Sequence, residues 1–147
     1  MNKENIEAII RKASVCRLGM LDGDTPYIVP LCFGYQDDTL YFHGSIKSRK
    51  YDLIQKHPKV CFEFDILAEA MPAEDPCDWD MRYRSVVGFG NATMVEEIHE
   101  KRLALEIIAE QYSKGTKAFP DNKVKATGVF KVAIASLTGK QSSFDPQ

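Results

Sequence analysis

A short stretch of the chain, residues 40–50, contains several groups that can bind an anion. Its sequence is Leu-Tyr-Phe-His-Gly-Ser-Ile-Lys-Ser-Arg-Lys. Two serine hydroxyls and three cationic side chains lie close together in it, from Ser45, Lys47, Ser48, Arg49 and Lys50. Guanidinium and ammonium groups form charge-assisted hydrogen bonds with phosphate oxygens, and hydroxyls can donate to the same oxygens. These residue types therefore favour a phosphate ligand.

The pattern of this stretch predicts a strand that runs through a turn into a helix. Apolar and polar residues alternate over 40–43, as in a half-buried strand, until Gly44 and Ser45 break the pattern. Residues 47–56 form a predicted helix, which Ser45 and Ser48 can cap.

The first turn of that predicted helix has an unfavourable charge. A helix N-terminus carries a partial positive charge, yet Lys47, Arg49 and Lys50 all lie there. A phosphate bound to the free N–H groups would remove the conflict, because the cations would then neutralise it. The alternative interpretation is an ordinary solvated basic turn.

The rest of the chain predicts mainly antiparallel strands with flanking helices, an α+β fold in one domain, residues 1–147. Hydrophobic periodicity predicts helices at 3–13 and 97–113, and strands at 15–21, 27–35, 40–43, 60–64, 81–96 and 126–137. The first helix is interpreted as a lid or a docking helix. The last strand can close a barrel.

Three other parts of the sequence predict an edge strand and two connecting segments. Pro30 removes a ladder donor, so its strand is predicted to be an edge or to contain a bulge. Residues 65–80 read as a long irregular loop, interpreted as a flap in which Trp79 either stacks on a ligand or only anchors the loop. Residues 114–125 read as a polar connection.

Composition excludes several classes of protein. The chain has 147 residues, is 44% hydrophobic and 27% charged, and has a formal net charge of −2. The charges are mixed along the chain, which argues against a nucleic-acid surface. No apolar run is long enough to span a membrane, and the polar start is unlike a signal peptide, so we expect a cytoplasmic protein without membrane contact. The four cysteines form no C-x-x-C pair and are interpreted as packing residues, with no metal site predicted.

Four segments in order resemble the pyridoxamine 5'-phosphate oxidase-like FMN-binding split β-barrel family. The run 48–50, Ser-Arg-Lys, precedes a helix that ends at His57-Pro58 and is similar to the family's phosphate grip. Residues 26–35, 40–43 and 83–90 are similar to the nitroimidazole-resistance, nitroreductase-like branch. The resemblance extends from about residue 16 to residue 141, and it implies a six- to seven-stranded antiparallel split β-barrel.

The resemblance also implies a cofactor and its contacts. The cofactor would be FMN, and the matching binding positions are Val29, Pro30, Leu31, Cys32, His43, Gly44, Ser45, Lys47, Ser48, Arg49, Lys50 and Ser85. Many members have glutamine where this chain has Ser85, and serine shortens the reach toward the flavin. Trp79 and Tyr83 are the candidate substrate-pocket residues. Lys140 is a second phosphate candidate, or simply a solvated lysine.

The resemblance further implies a homodimer, because in the split-barrel family both subunits contribute to each flavin pocket. It argues against pyridoxamine phosphate oxidase activity itself. Members with that activity end in a motif that contains Trp and Arg, whereas this chain ends Gln-Ser-Ser-Phe-Asp-Pro-Gln over residues 141–147.

The function predicted from these observations is an FMN-dependent oxidoreductase. No nucleophilic triad, paired acid and base or glycine-rich nucleotide loop is evident, which fits a protein whose cofactor supplies the chemistry. Its acceptor is predicted to be a nitroaromatic or similar small molecule, with a reduced nicotinamide as donor. His43 is the candidate catalytic residue, although it can equally be structural. Two alternatives stay open: a flavin-binding or redox-sensing module without turnover, and a haem-handling split barrel.

Overall fold

The computed structural model describes residues 1–115 and 118–144, and its main feature is one antiparallel sheet. The seven strands of the sheet are β1 Cys16–Asp22, β2 Thr25–Leu31, β3 Gly34–Gln36, β4 Thr39–Gly44, β5 Lys59–Met71, β6 Asp80–Val95 and β7 Gly128–Ser142. Four α-helices accompany the sheet, α1 Lys3–Lys12, α2 Arg49–Lys56, α3 Ile98–Tyr112 and α4 Asp121–Ala126. The predicted α+β fold is confirmed.

The strand order gives the sheet the character of a split barrel. The order is β2-β1-β5-β6-β7-β4-β3, so the β1–β2 and β3–β4 hairpins lie at opposite edges. The chain passes directly from β2 to β3, which links the two edges. Strands β5, β6 and β7 are the longest and pair along most of their length. The predicted seven-stranded split barrel is confirmed.

Alternate residues of these strands form one apolar core. Strand β1 alternates buried and exposed positions, as the sequence pattern predicts. Phe42 and Phe130 stack across β4 and β7 with ring centroids 4.9 Å apart. Helix α1 covers one side of the core with Ile6, Ile9 and Ile10, all buried. It is therefore a docking helix.

The prediction of a single strand over residues 27–35 is wrong. Strand β2 ends at Leu31 and β3 begins at Gly34, and between them Phe33 turns fully into the core. The Phe33 N–H donates to the Tyr112 hydroxyl of α3 at 3.0 Å, so this N–H does not take part in the hydrogen bonds between strands. This break is where the chain changes edge. The prediction that Pro30 lies in an edge strand is confirmed by the position of β2.

The prediction of a loop over residues 65–80 is wrong in part, since only residues 72–79 lie outside the strands. Strand β5 continues to Met71 and pairs with the start of β6, after a bulge between Ile66 and Glu69. Leu67 has φ of 58° in this bulge. Residues 69–82 thus form a two-stranded arm, closed by a short 3-10 turn at Pro76–Asp78. The proline and aspartate signals that suggested a long loop belong only to the tip.

The predicted polar connection over residues 114–125 is wrong in part. Helix α4 lies within it, and its buried Val124 joins a second, smaller apolar cluster with Val95, Ala104, Leu105 and Val129. Residues 116 and 117 of this connection are outside the described residues, as are 145–147 of the C-terminal segment that lacks the Trp and Arg motif. Across the described ranges, no helix is long and apolar enough to cross a membrane.

Candidate functional site

The turn between β4 and α2 is built from short-range backbone contacts. The Ser48 N–H donates to the Ser45 carbonyl at 3.0 Å, and the Lys47 N–H donates to the Ser45 hydroxyl at 3.2 Å. Helix α2 begins at Arg49, with Ser48 in the N-cap position. The prediction that the Ser48 hydroxyl caps the helix is wrong, since it makes no capping hydrogen bond. The first N–H groups of α2 are therefore not satisfied by a side-chain cap.

Two buried hydroxyls at this turn are unsatisfied. Within residues 1–115 and 118–144, neither the Ser48 Oγ nor the Tyr51 Oη has a hydrogen-bond partner, although both atoms are buried. Burial without a partner costs a polar group about 1–3 kcal/mol. Burial also raises the pKa of the Tyr51 hydroxyl, which keeps it a donor at neutral pH. Two buried hydroxyls without partners at the same turn indicate a binding site for a ligand that accepts hydrogen bonds.

Two glycines make room for these groups. Gly44 and Gly128 lie opposite each other in the β4–β7 register. A methyl group on Gly44 would lie 2.9 Å from the Lys50 Nζ, and one on Gly128 would lie 2.8 Å from the Tyr51 Oη. Larger residues would thus displace the lysine and the tyrosine. We call Gly44, Ser48, Lys50, Tyr51 and Gly128 the cradle.

Lys50 is the cradle's cation. Its ammonium folds back over Gly44, and partial burial lowers its pKa. In the part of the chain that the structure describes, no carboxylate lies within ion-pair distance of it. Burial, and then the charge of Lys50, lower the pKa of His43. His43 therefore lies close enough to sense the charge in the cradle.

Arg49 points away from the cradle. Its guanidinium pairs with Asp22 at the end of β1 and lies over the Tyr27 ring, 4.4 Å from its centroid. This pair also lowers the pKa of the Asp22 carboxyl. The crowding of three cations that the sequence suggests is thus relieved in part by an acidic partner from a distant hairpin.

An open apolar cavity of about 620 Å³ lies beside Tyr27 on the outer face of the sheet. Its size is within the range typical of small-molecule sites. The lining residues come from β1, β2, β5, β6 and β7 and include Gly19, Leu21, Pro26, Tyr27, Ile28, Lys59, Cys61, Phe89, Asn91 and Ala135. Arg49 therefore connects the start of α2 to the rim of this cavity.

The other predicted site residues lie on separate elements. Val29, Pro30 and Leu31 end the edge strand β2, and Cys32 follows them before the chain enters β3. Ser85 pairs with Asp65 and Lys140 in the middle of the sheet. The end of helix α2 is marked on the same strand by Ala92, whose N–H donates to the Pro58 carbonyl. Ser85 is seven residues from Ala92, so about 23 Å of strand separates Ser85 from the end of α2.

Tyr83 lies further along β6, toward the arm, and Trp79 lies at the tip of the arm, just before β6 begins. The Tyr83 ring is 5.6 Å from the Lys140 ammonium. Trp79 is 57% exposed, and its Nε1 donates to the Ala73 carbonyl at 3.0 Å, which anchors the tip of the arm. Within a single chain these two residues are not brought together with the cradle.

Several residues of the site were missed from the sequence. The sequence predicted no role in the site for Tyr51, Gly128, Asp22 or Tyr27. Cys16 is buried as predicted, but Cys32, Cys61 and Cys77 are exposed, and Cys61 lines the cavity. Among the described residues no group of three or more His, Cys, Asp or Glu side chains could hold a metal ion.

Comparison with known proteins identifies the class of this fold and site. The family model described as pyridoxamine 5'-phosphate oxidase matches residues 2–141. The chain therefore belongs to the pyridoxamine 5'-phosphate oxidase family. No curated protein sequence matches it.

Solved structures support the same assignment. A candidate 5-nitroimidazole antibiotic resistance protein from Bacteroides thetaiotaomicron VPI-5482 is 34% identical, with a TM-score of 0.84 over 94% of this chain and 82% of that one. The resemblance to the nitroimidazole-resistance branch is thereby confirmed. The flavocytochrome Anf3 from Azotobacter vinelandii is 21% identical, with a TM-score of 0.85 over 99% of this chain and 70% of that one.

A third structure has the same fold at low sequence identity. The FAD and heme binding protein from Mycobacterium smegmatis is 20% identical, with a TM-score of 0.88 over 99% of this chain and 74% of that one.

Proposed function

We propose that this protein is a flavin-dependent oxidoreductase that binds FMN through its phosphate at the cradle. The observation that carries the proposal is the deficit at the β4–α2 turn. Among the described residues, two buried hydroxyls there have no hydrogen-bond partner, and Lys50 has no carboxylate partner. A phosphate supplies several acceptor oxygens and negative charge at once, whereas a water molecule supplies no charge. Membership of the pyridoxamine 5'-phosphate oxidase family and the names of similar structures support a flavin as the cofactor.

Each residue of the proposed site has a defined task. Ser48 and Tyr51 would donate hydrogen bonds to the phosphate, and Lys50 would neutralise its charge. Arg49 would attract the anionic cofactor at the rim of the apolar cavity, which would exclude water from the ring. Bound there, the flavin ring would supply the electron-transfer chemistry. His43, whose pKa is lowered, would be neutral at pH 7 and able to donate or accept a proton beside the site.

The electron acceptor is proposed from the solved structure with 34% sequence identity. A nitroaromatic compound is the proposed acceptor, because the relative from Bacteroides is described by 5-nitroimidazole resistance. A reduced nicotinamide is the proposed donor. Lys59 and Asn91 also line the cavity that would hold the flavin ring, and there they would hydrogen-bond the polar oxygen-bearing group of a flat acceptor stacked on that ring.

A homodimer is proposed as the working state. Met81, Val87 and Phe89 lie on the outer face of β6 and are 45%, 43% and 57% exposed, and Leu21 and Ile28 extend this apolar surface. Exposed apolar side chains grouped on one face of a sheet favour a partner surface there. A second copy on this face would also bring Ser85 or Tyr83 of one chain toward the cradle region of the other, which one chain alone does not do.

The visible spectrum of the purified protein tests the flavin assignment. We expect flavin absorbance that is retained on desalting, bleached by reduced nicotinamide and restored by a nitroimidazole. A yellow protein that no donor and acceptor panel turns over would replace the enzyme with a flavin-binding or redox-sensing module. A Soret band after haem titration, without flavin uptake, would replace it with the haem-handling alternative.

Sedimentation of a Val87→Lys, Phe89→Lys double variant tests the dimer. We expect a folded monomer with weakened flavin retention, since two lysines on the proposed interface cannot be buried without partners. The control is Lys125→Ala, a change on α4 away from this face. A monomeric wild-type protein, or an unchanged dimer in the variant, would contradict the proposed interface.

A further inference from the structure

A second, smaller cavity lies on the other side of the sheet, beneath helix α1. It has a volume of about 60 Å³ and lies between α1 and strands β5, β6 and β7. Ile9 and Ile66 provide apolar walls, and the polar side chains that line it are Asn5, Lys12, Arg84 and Gln141. No Asp or Glu lines it. The cavity therefore combines two cations with two amides and has no acidic counterpart.

The arginine in this cavity is incompletely satisfied. Its Nε is buried and has no hydrogen-bond partner among residues 1–115 and 118–144. The Arg84 guanidinium lies over the Phe144 ring, 4.4 Å from its centroid, so one face of the group is covered. A buried, charged donor without an acceptor is costly, and more so than a neutral one.

The carboxylate that lines the neighbouring cavity has another partner. Asp65, which together with Lys12 lines that cavity of about 430 Å³, pairs with Arg17, as Glu63 also does. In the described part of the chain, neither Lys12 nor Arg84 forms an ion pair with a carboxylate. The positive charge at this cavity is therefore not compensated by the protein.

We infer that this cavity binds one small monovalent anion between Arg84 and Lys12. A volume of about 60 Å³ is enough for a few water molecules, which suits a small anion such as chloride, nitrate or formate. The Arg84 Nε–H and the Asn5 and Gln141 amides are the donors, and Lys12 adds charge. The anion joins α1 to the two longest strands, on the face opposite Ser85 and independent of the flavin proposal.

Thermal unfolding at constant ionic strength tests the inference. Gluconate, a bulkier anion of the same charge, is replaced stepwise by chloride or by formate, and the melting temperature is recorded for each anion. We expect saturable stabilisation of the wild-type protein by about 2–5 °C, since a ligand that binds only the folded state raises its stability. A response to formate but not to chloride identifies a carboxylate site, and equal responses identify a general small-anion site.

Two variants and a control separate the anion from a general salt effect. Arg84→Met and Lys12→Met should each abolish the saturable response. Arg82→Met, which changes the neighbouring arginine beside the same Phe144 ring, should keep it. A bromide-soaked crystal should show an anomalous peak beside the Arg84 Nε. A response in the Arg84 and Lys12 variants equal to that of the wild type, or a wild type indifferent to chloride and formate, would overturn the inference.

Discussion

Two basic regions of this protein satisfy their charges in different ways. At the corner formed by α3, α4 and β7, Lys101 donates to the Lys125 carbonyl at 3.2 Å, Arg102 pairs with Asp121, and Lys131 pairs with Glu100. At the cradle, Lys50 and two buried hydroxyls have no such partners within the described residues. The first region is complete as folded, and the second is not.

This difference suggests that the first region contributes to the stability of the fold and the cradle to ligand binding. A cation with an internal partner contributes to the folded state, so its loss should lower the free energy of unfolding. A cation without an internal partner contributes little to the stability of the folded state, and its loss should lower the affinity for a ligand. Variants in the two regions should therefore change different measurements.

The largest expected effect is on flavin affinity. Replacing Arg49 and Lys50 together by Ala removes the cradle's cation, a charge-assisted contact worth about 1.5–3 kcal/mol, and also the cation at the rim of the cavity. FMN binding should therefore weaken by about 10²-fold or more. The free energy of unfolding without flavin should change little, because the Arg49–Asp22 ion pair that is lost is exposed to solvent. Flavin fluorescence titration and urea unfolding provide the two measurements.

Lys56→Ala is the matched control for that variant. Lys56 lies on the same helix but pairs with Asp52 at 2.9 Å. Its removal should leave FMN affinity within about twofold of the wild type, because exposed ion pairs contribute little. Equal losses in the control and the double variant would show that net charge alone, and not the cradle, governs binding.

The next largest effect should be on stability, at the other region. Lys101 is 9% exposed, and its stem and ammonium are both packed. Lys101→Ala should lower the free energy of unfolding by about 2–4 kcal/mol, through a lost charged hydrogen bond and a cavity. Its FMN affinity should match the wild type. Chemical denaturation that shows no loss would break the contrast between the two regions.

A pair of hydroxyl variants sharpens the contrast further. Ser48→Ala removes an unsatisfied hydroxyl, so stability without flavin should stay the same or rise, while FMN affinity should fall about 3- to 10-fold. Thr127→Val removes a hydroxyl that donates to the Lys123 carbonyl at 2.8 Å, so it should lose about 1 kcal/mol of stability and no affinity. If Ser48→Ala destabilises the flavin-free protein like Thr127→Val, the hydroxyl is not an orphan.

The smallest expected effect is a shift in the titration of His43. Its pKa lies below the usual histidine value because of burial and the charge of Lys50. Replacing Lys50 with Met should raise that pKa, and binding an anion in the cradle should raise it in the wild type. An NMR titration of the imidazole measures both shifts. An unchanged pKa on anion addition would place the anion elsewhere.

Local signals in the sequence predicted most elements of the fold. The alternation in β1, β4 and β6 and the helical periodicity of α1 and α3 depend only on neighbouring residues. The arm was missed because its tip is rich in proline and aspartate, which read as loop when the pairing of β5 with β6 is unknown. The break at Phe33 was missed because its cause, Tyr112, is distant in sequence.

The candidate site shows the same limit. The serines and cations between residues 45 and 50 are neighbours in the sequence, so a phosphate ligand could be predicted from them. Gly128 faces Gly44 only because β7 pairs with β4, and Asp22 reaches Arg49 only because the first hairpin folds beside α2. No local pattern marks such partners, so the sequence could predict the anion but not the complete set of groups around it.

The comparison of FMN with riboflavin tests the central claim most directly, because the two ligands differ only in the phosphate. We predict that the wild-type protein binds FMN at least about 100-fold more tightly than riboflavin, and that Lys50→Ala removes most of this preference without changing riboflavin affinity. Equal affinity of the wild type for the two ligands, or a preference that survives in Lys50→Ala, would contradict a phosphate held at the cradle.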